Sequence, residues 1–577
     1  MSSDEWHIVE RLSSAQQRPI SEPHRFTVLV LAALCCICVS FLYTFNLVSG
    51  AIQSRYNLTQ GDMSTITTVG IVVGYFGLPY SFVYDHFGPR PIFVLGFTVF
   101  TIGALLLALT FQGIVEGSVV RLSVLNAFMT LGTTLFDMAV MVTLLSHFPS
   151  NRGAVIAILK TLVGLGSAIV GSIRLAFFSK NTSAYFYFMM TSFIAAGVLG
   201  AIYVRLPAYH LTGYEENHLT EEVKSLRLMR KAVYLRQKAP VWRFAIALAV
   251  LITLIVLLPV QGALVAYLKL GDNYRLGFSI VVIVLTLLLP LAALPTTKFD
   301  GPREINAPET KSPTDTSGPA GCVVDTDVDY IAPQFQEPFC LGLRTARLWC
   351  LLLTIFCCAG SLFVVMFNAR FIYTALASEV PDEALNTLLT ILNGTGSASG
   401  RLLMSYFEVW SQKRRAEDRI PITVALFAPA ACIVTMLTLF LAVPKVALPL
   451  PFFIGAIANG FMGATIVLVS RTLFARDPAK HYYFCYVGSL LSAIFLNRLL
   501  YGEWYTREAT KREETVCMDR VCVVMPLAFL LGMALLSLTS STYVHQQYRA
   551  LCRKALEERQ RIRCEGGETS PPSPKLE

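Results

Sequence analysis

Charge is scarce in this sequence: Asp, Glu, Lys and Arg make up 15% of 577 residues, where a soluble globular chain carries about a quarter. With a mean hydropathy of +0.57, that scarcity excludes a soluble enzyme, a coiled coil and a disordered chain. Metal-ligand spacings are also missing. None of the 14 cysteines falls in a CxxC or Cys/His pattern, and Cys35, Cys36, Cys38, Cys350, Cys357, Cys358, Cys432 and Cys485 lie within apolar runs, as small hydrophobes do. A disulfide-stapled secreted domain is thereby excluded. Cys517 and Cys522 flank a short polar segment, and either pair or remain free thiols. The apolar runs are continuous rather than alternating, which excludes a transmembrane β-barrel. All eight histidines stand outside those runs, at or near loops. Neither a metal site nor a nucleophile–base set can then be built inside, and no catalysis and no cofactor are expected.

What is present is about fourteen apolar runs of some 20 to 30 residues, each long enough to cross a ~30 Å hydrocarbon core as a helix. Two long polar interruptions divide them into six, two and six. The reading is an all-α polytopic membrane protein with two six-helix bundles and an inserted two-helix hairpin. Its parts are an N-terminal segment 1–25, a bundle 26–206, a basic loop 207–241, the hairpin 242–294, a linker 295–345, a second bundle 346–545 and a tail 546–577. The linker, rich in Pro, Gly, Thr and Asp, has a composition that cannot bury a core and reads as disordered. The net charge of +9 reports topology rather than nucleic acid, because the basic residues collect in loops. Arg11, Arg18 and Arg25, the loop from Lys224 to Lys238, the run Lys413-Arg414-Arg415 and the basic tail share one side. Both termini are therefore expected in the cytosol. The sequons at Asn57 and Asn181 fall on the other face and are candidate glycosylation sites, whereas Asn393 lies inside a run. Tyr548-Arg549-Ala550-Leu551 fits a sorting motif.

Between the second and third runs stands Asp85-His86-Phe87-Gly88-Pro89-Arg90. Gly88 and Pro89 make a tight turn, and Asp85 and Arg90 sit at adjacent helix ends, where a charge pair can latch one state. This segment resembles the loop signature of the major facilitator superfamily, with Ser81 at the first small position and Pro89 where a basic residue is usual. Gly400-Arg401 with Glu408 looks like the second copy. Two bundles of six spans are the architecture that this resemblance implies.

A further run, Phe148-Pro149-Ser150-Asn151-Arg152-Gly153-Ala154-Val155 through Leu159-Lys160 to Gly164-Leu165-Gly166-Ser167-Ala168-Ile169, resembles the nodulin-like transporters, a branch similar to monocarboxylate and oxalate carriers. Gly460, the Gly463 region and Gly502-Glu503-Trp504-Tyr505-Thr506-Arg507-Glu508 extend the similarity to the second half. The resemblance implies a monomeric secondary carrier of a small, anionic solute, with the lipid bilayer as surroundings and a proton as candidate coupling ion. An iron-chelate or amino acid carrier is the alternative, and a non-transporting sensor or scaffold the alternative of another class.

Charges inside spans cost roughly 2.5–3.5 kcal/mol each, so depth sorts the candidates for solute or proton contact. Asp137 and Lys160 lie eleven and nine residues from the loop 148–151, about 16 and 14 Å up consecutive antiparallel helices. Arg498, Asn46 and Asn126 join them, with Asn368 and Asn459 behind. Gly394 to Gly400 imitates a dinucleotide-binding loop but sits in an apolar run; like Gly70-x3-Gly74, its small residues favour close helix packing.

Overall fold

In hydrocarbon, backbone N–H and C=O groups find no water, so the apolar runs must close their hydrogen bonds within helices. The computed structural model describes residues 20–148, 151–237, 239–295, 333–412, 414, 418–474, 478–513 and 516–568. Among these residues, thirteen helices are long and apolar enough to cross a membrane. Spans 1 to 6 are Glu22–Tyr56, Gln60–Phe87, Pro89–Gln112, Val119–His147, Gly153–Phe177 and Thr182–Tyr203. Spans 7 and 8 are Val241–Tyr267 and Asp272–Ala293. Span 9 is Ala346–Phe367, and spans 11 to 14 are Ile422–Ala442, Lys445–Ser470, Phe484–Thr510 and Val521–Glu558. Span 10, Glu383–Gln412, is 30 residues and thus about 45 Å long. It is less apolar because Asn386, Thr387, Thr390, Thr395 and Ser397 are buried in protein, packed among spans 5, 7 and 12. An even number of spans puts the first and last helices' outer ends on one face, here the terminal face.

Spans 1 to 6 form one bundle and spans 9 to 14 the other, and spans 5 and 10 pack against each other across the join. Glycine sets the distance there. A Cβ on Gly164 would lie 2.9 Å from the Ala398 nitrogen, and one on Gly394 2.9 Å from the Ala168 nitrogen. Behind them, a Cβ on Gly400 would meet the Ile457 carbonyl at 2.3 Å and one on Gly460 the Ser397 carbonyl at 2.2 Å. Spans 5, 10 and 12 therefore stack backbone against backbone, as the small residues lead one to expect. The inserted hairpin covers the join from the side. Gln261 Nε2 donates to Ser172 Oγ at 2.9 Å and Ser279 Oγ to the Ser172 carbonyl at 2.8 Å. Buried Arg243 closes the hairpin by donating to the Ala292 and Leu294 carbonyls at 2.9 and 3.0 Å.

Several segments read as loops are built structures. Span 1 begins at Glu22, inside the segment 1–25, because Arg25 is fully buried, pairs with Glu22 at 2.8 Å and donates to the His147 carbonyl. Within 207–241 lie two helices, Gly213–His218 and Glu221–Arg236; Thr212 and Glu215 cap the first, and Arg227 pairs with Glu215 at 2.8 Å. That ion pair and the Thr212 bonds outweigh partial burial and hold the Glu215 carboxyl below its usual range.

Of the linker 295–345, residues 296–332 lie outside the described residues, but 333–345 pack on the second bundle. The Phe335 N–H donates to the Leu473 carbonyl at 2.8 Å, and Arg347 pairs with Glu337 while its guanidinium lies 3.5 Å from the Phe335 ring centroid. The tail is helical to Glu568. Tyr548 is buried against Phe335, so the sorting motif's key side chain is not presented. Cys517 and Cys522 are disulfide-bonded, with Cα atoms 6.6 Å apart. Beside them Glu508 pairs with Lys511 and Arg512, and Arg512 also with Asp519, so two carboxylates balance these two cations.

The glycine contacts generate a test. Gly400→Val or Gly460→Val forces a side chain into a carbonyl and should cost about 3 kcal/mol or more, read as loss of monodisperse protein in detergent. Gly532→Val, where a Cβ meets nothing within 4 Å, should leave yield and unfolding midpoint unchanged.

Candidate functional site between the two halves

Asp137 on span 4 and Lys160 on span 5 meet side chain to side chain. Lys160 Nζ donates to Asp137 Oδ1 at 2.8 Å and to Oδ2 at 2.7 Å, with the side chains 17% and 32% exposed. Arg401 of span 10, buried at 5%, donates from Nη1 to the Lys160 carbonyl at 2.5 Å. The three charges sum to +1. Tyr75 of span 2 lies within Coulombic range of Asp137 and Arg401, and Cys36 of span 1 within range of all three. Spans 4 and 5 of one half carry the pair, and Arg401 brings span 10 of the other half against it. Counting from the helix ends at His147, Arg152 and Gln412, the three residues lie about 12 to 16 Å from the terminal face. The rings of Tyr75 and of Tyr486 on span 13 adjoin this layer, 5.4 Å apart.

Arg401 is the residue whose place sequence reasoning missed. Read with Glu408 as the second copy of the loop signature, it sits two turns deeper than Glu408 and bonds the backbone carbonyl of Lys160. The missed signal is its spacing: seven residues on one helix separate two side chains by about 10 Å.

Arg498, Asn46, Asn368 and Asn497 gather elsewhere, in a polar seal at the face opposite the termini. Gln60 Nε2 donates to Asn368 Oδ1 at 2.5 Å, Asn368 Nδ2 to Asn497 Oδ1 at 2.8 Å, and Asn497 Nδ2 to Thr68 Oγ1 at 3.1 Å. Arg498 Nε donates to Thr65 Oγ1 at 2.6 Å, and the Gly61 N–H to Thr506 Oγ1 at 2.7 Å. Asn46 Nδ2 donates to the Met366 carbonyl, and Asn386 Nδ2 to the Asn46 carbonyl at 3.0 Å. Arg174 pairs with Glu383 at 2.9 Å. Every one of these bonds except Asn368–Asn497 joins one half to the other. The span 13 segment Ala493–Gly502 is π-helical, a form frequent at functional sites. Asn126 stays within the first half, donating to the Ile66 carbonyl beside a cavity of about 40 Å³, which has room for only a few waters. Asn459 stays within the second, donating to Ser397 Oγ at 3.2 Å.

At the terminal face the two halves are held differently. Span 2 breaks between Tyr75 and Leu78. Beyond the break, Tyr84 bonds Thr143 of the same half at 2.9 Å, and Leu78–Phe87 packs on span 3 and the Gly213–His218 helix. Phe76 and Phe82 are 62% and 70% exposed. Gly88 takes φ +80°, the left-handed turn expected of it. Asp85 and Arg90 are both exposed, and no ion pair joins them among the described residues. At this face no ion pair of the loop signature is formed among the described residues, whereas the polar seal is intact on the other.

Residues 29–289 match the model of the Major Facilitator Superfamily. Among curated proteins none matches in sequence. A bacterial homologue of the human lysosomal transporter Spinster, inward-facing and unoccupied, aligns with a TM-score of 0.50 at 15% identity, over 92% of this chain and 99% of that one. A POT family transporter in complex with 5-aminolevulinic acid aligns with a TM-score of 0.53 at 14% identity, over 91% and 97%. A peptide transporter POT in complex with sulfate gives 0.52 at 16% identity, over 94% and 99%. The fold is that of the major facilitator superfamily. Within this fold the chain is an integral multi-pass membrane protein whose Asp137–Lys160 pair is joined to the second bundle through Arg401.

The seal makes its own prediction. Asn368→Ala strips partners from buried Gln60 and Asn497, at about 1–3 kcal/mol. Alkylation of a cysteine placed at fully buried Ser64 should then quicken about tenfold or more; an unchanged rate would mean that this network does not hold the face closed.

Proposed function

We propose that the protein is a secondary carrier that moves a small organic anion, monocarboxylate-like, across the membrane by alternating access. The observation that carries this reading is the layer of Asp137, Lys160 and Arg401, with its excess positive charge, partly exposed between two halves sealed on one face. A solute carboxylate entering from the terminal face competes with Asp137 for Lys160. A proton can replace the lost partner of Asp137, which makes it the candidate coupling group. Closure of spans 2 and 13 on the terminal face and release of the seal on the other then carry the solute across. The carboxylate-bearing ligand of the POT family transporter supports the reading insofar as this fold admits such solutes. The Phe148–Ile169 run supports a place among the nodulin-like carriers. An amino acid, which adds an ammonium for Asp137 to hold, is the second solute that the pair favours.

By the distribution of Lys and Arg, the terminal face is cytosolic and the sealed face is not. Exposed Asn57 and Asn181 lie at the sealed face, where glycosylation would take place. Each stands at the end of a span, close to the bilayer.

Flux into proteoliposomes of the purified protein, screened over small carboxylates and amino acids, tests the proposal. Lys160→Ala should abolish uptake with insertion preserved. The swap Asp137→Lys with Lys160→Asp should restore insertion and stability but not uptake, because the solute reads the charge's position. Full uptake by Lys160→Ala would overturn the site, and the absence of flux for every solute would favour a sensor or scaffold.

A further inference from the structure

Among the described residues, no carboxylate pairs with Arg370. Arg370 follows span 9 at the sealed face, half-buried, within Coulombic range of Arg174. Arg174 is itself buried and is occupied by Glu383. Arg370 lies flat on span 1: a Cβ on Gly50 would sit 1.6 Å from its Nη1 and 2.9 Å from its Nη2. Its guanidinium has no hydrogen-bond or ion-pair partner among the described residues. One turn beyond Gly50, the Nε2 of buried Gln53 is also unpaired, and so is the Nε of Arg174. The nearby acceptors Asn46 Oδ1 and Asn386 Oδ1 are likewise unpaired, which places them out of reach of Arg370.

Two guanidinium groups and one carboxylate leave an excess of one positive charge in a partly buried place. Buried charge is costly unless paired, and unused donors add to the cost. A small monovalent anion satisfies both demands at once. We infer that Arg370, Arg174 and Gln53 form a site in the seal for a small anion, chloride or a single carboxylate. The site is distinct from the Asp137–Lys160 layer and needs no assumption about the solute. Its groups come from spans 1 and 5 of one half and from the segment after span 9 of the other, so bound anion holds the seal shut and parting the halves releases it. Gly50 is part of the design, since any side chain there displaces the guanidinium.

The full-length protein in detergent tests this, with unfolding followed in sodium chloride, sodium acetate and sodium gluconate at equal ionic strength. Chloride should raise the midpoint over gluconate by about 2 °C or more. Arg370→Gln should lose the rise, and Arg370→Lys should keep part of it. Gly50→Ala should lose it although both arginines remain. Arg121→Gln, exposed on the same face, should keep it in full. If Arg370→Gln does not fold, Gln53→Leu replaces it and should weaken the rise. A rise in acetate with none in chloride, still dependent on Arg370, assigns the site to a carboxylate, while the reverse assigns it to the inorganic ion. No difference between the salts in the unaltered protein, or the same difference in Arg370→Gln, overturns the inference.

Discussion

Contact between bare helix backbones organises this molecule. Where Gly164 faces Ala398 and Gly394 faces Ala168, no side chain separates spans 5 and 10, and the two halves are held at a fixed distance along that edge. The contact reaches both faces. Gly153 meets Val409 near the terminal end, and Arg174 pairs with Glu383 near the other. Such packing strengthens in lipid through dispersion and close approach rather than through water exclusion. An edge fixed over its full depth leaves the opposite edge, spans 2 and 13, free to part. The break in span 2 and the exposed Phe76 and Phe82 are found there. The inserted hairpin reinforces the fixed edge from outside by tying Gln261 and Ser279 to Ser172.

The same geometry explains where charge is tolerated. Arg25 with Glu22, Arg174 with Glu383 and Lys160 with Asp137 place each buried cation against a carboxylate, and Arg243 is spread over two carbonyls and two aromatic rings. Among the described residues, the central layer, with its excess of one cation, and Arg370 depart from balance. A low-dielectric interior makes such imbalance costly. Its survival at the two places where the halves meet points to ligands supplied from solution.

The architecture was legible in the sequence because lipid tolerates few solutions. Apolar runs of sufficient length must be helices, and their grouping into six, two and six followed from two polar interruptions. Span 10 was found by the same reading although it is the least apolar, since its polar residues are small and its length sufficient. Asp137 and Lys160 were found because depth along two consecutive helices is a one-dimensional quantity that residue counting provides. Arg498 and Asn46 were grouped with them on chemistry alone. Both stand in the seal, because depth does not say which neighbour a side chain faces. The segment 333–345 was read with the linker, since Phe335 and Arg347 reveal a docking surface only when Leu473 and Glu337 are beside them.

By itself, then, the sequence determined the number of membrane crossings, their division into two bundles and a hairpin, and the depth of the one deep ion pair, since each depends on length and local composition. The tertiary structure alone decided that Arg401 reaches the Lys160 carbonyl, that Cys517 meets Cys522, and that one face carries a polar seal. It also decided that Arg370 lacks a partner among the described residues. These are contacts between residues tens to hundreds of positions apart or, for the two cysteines and Arg401, a matter of which way a helix or turn presents them. Which backbones approach closely enough to touch is settled when all fourteen helices pack at once.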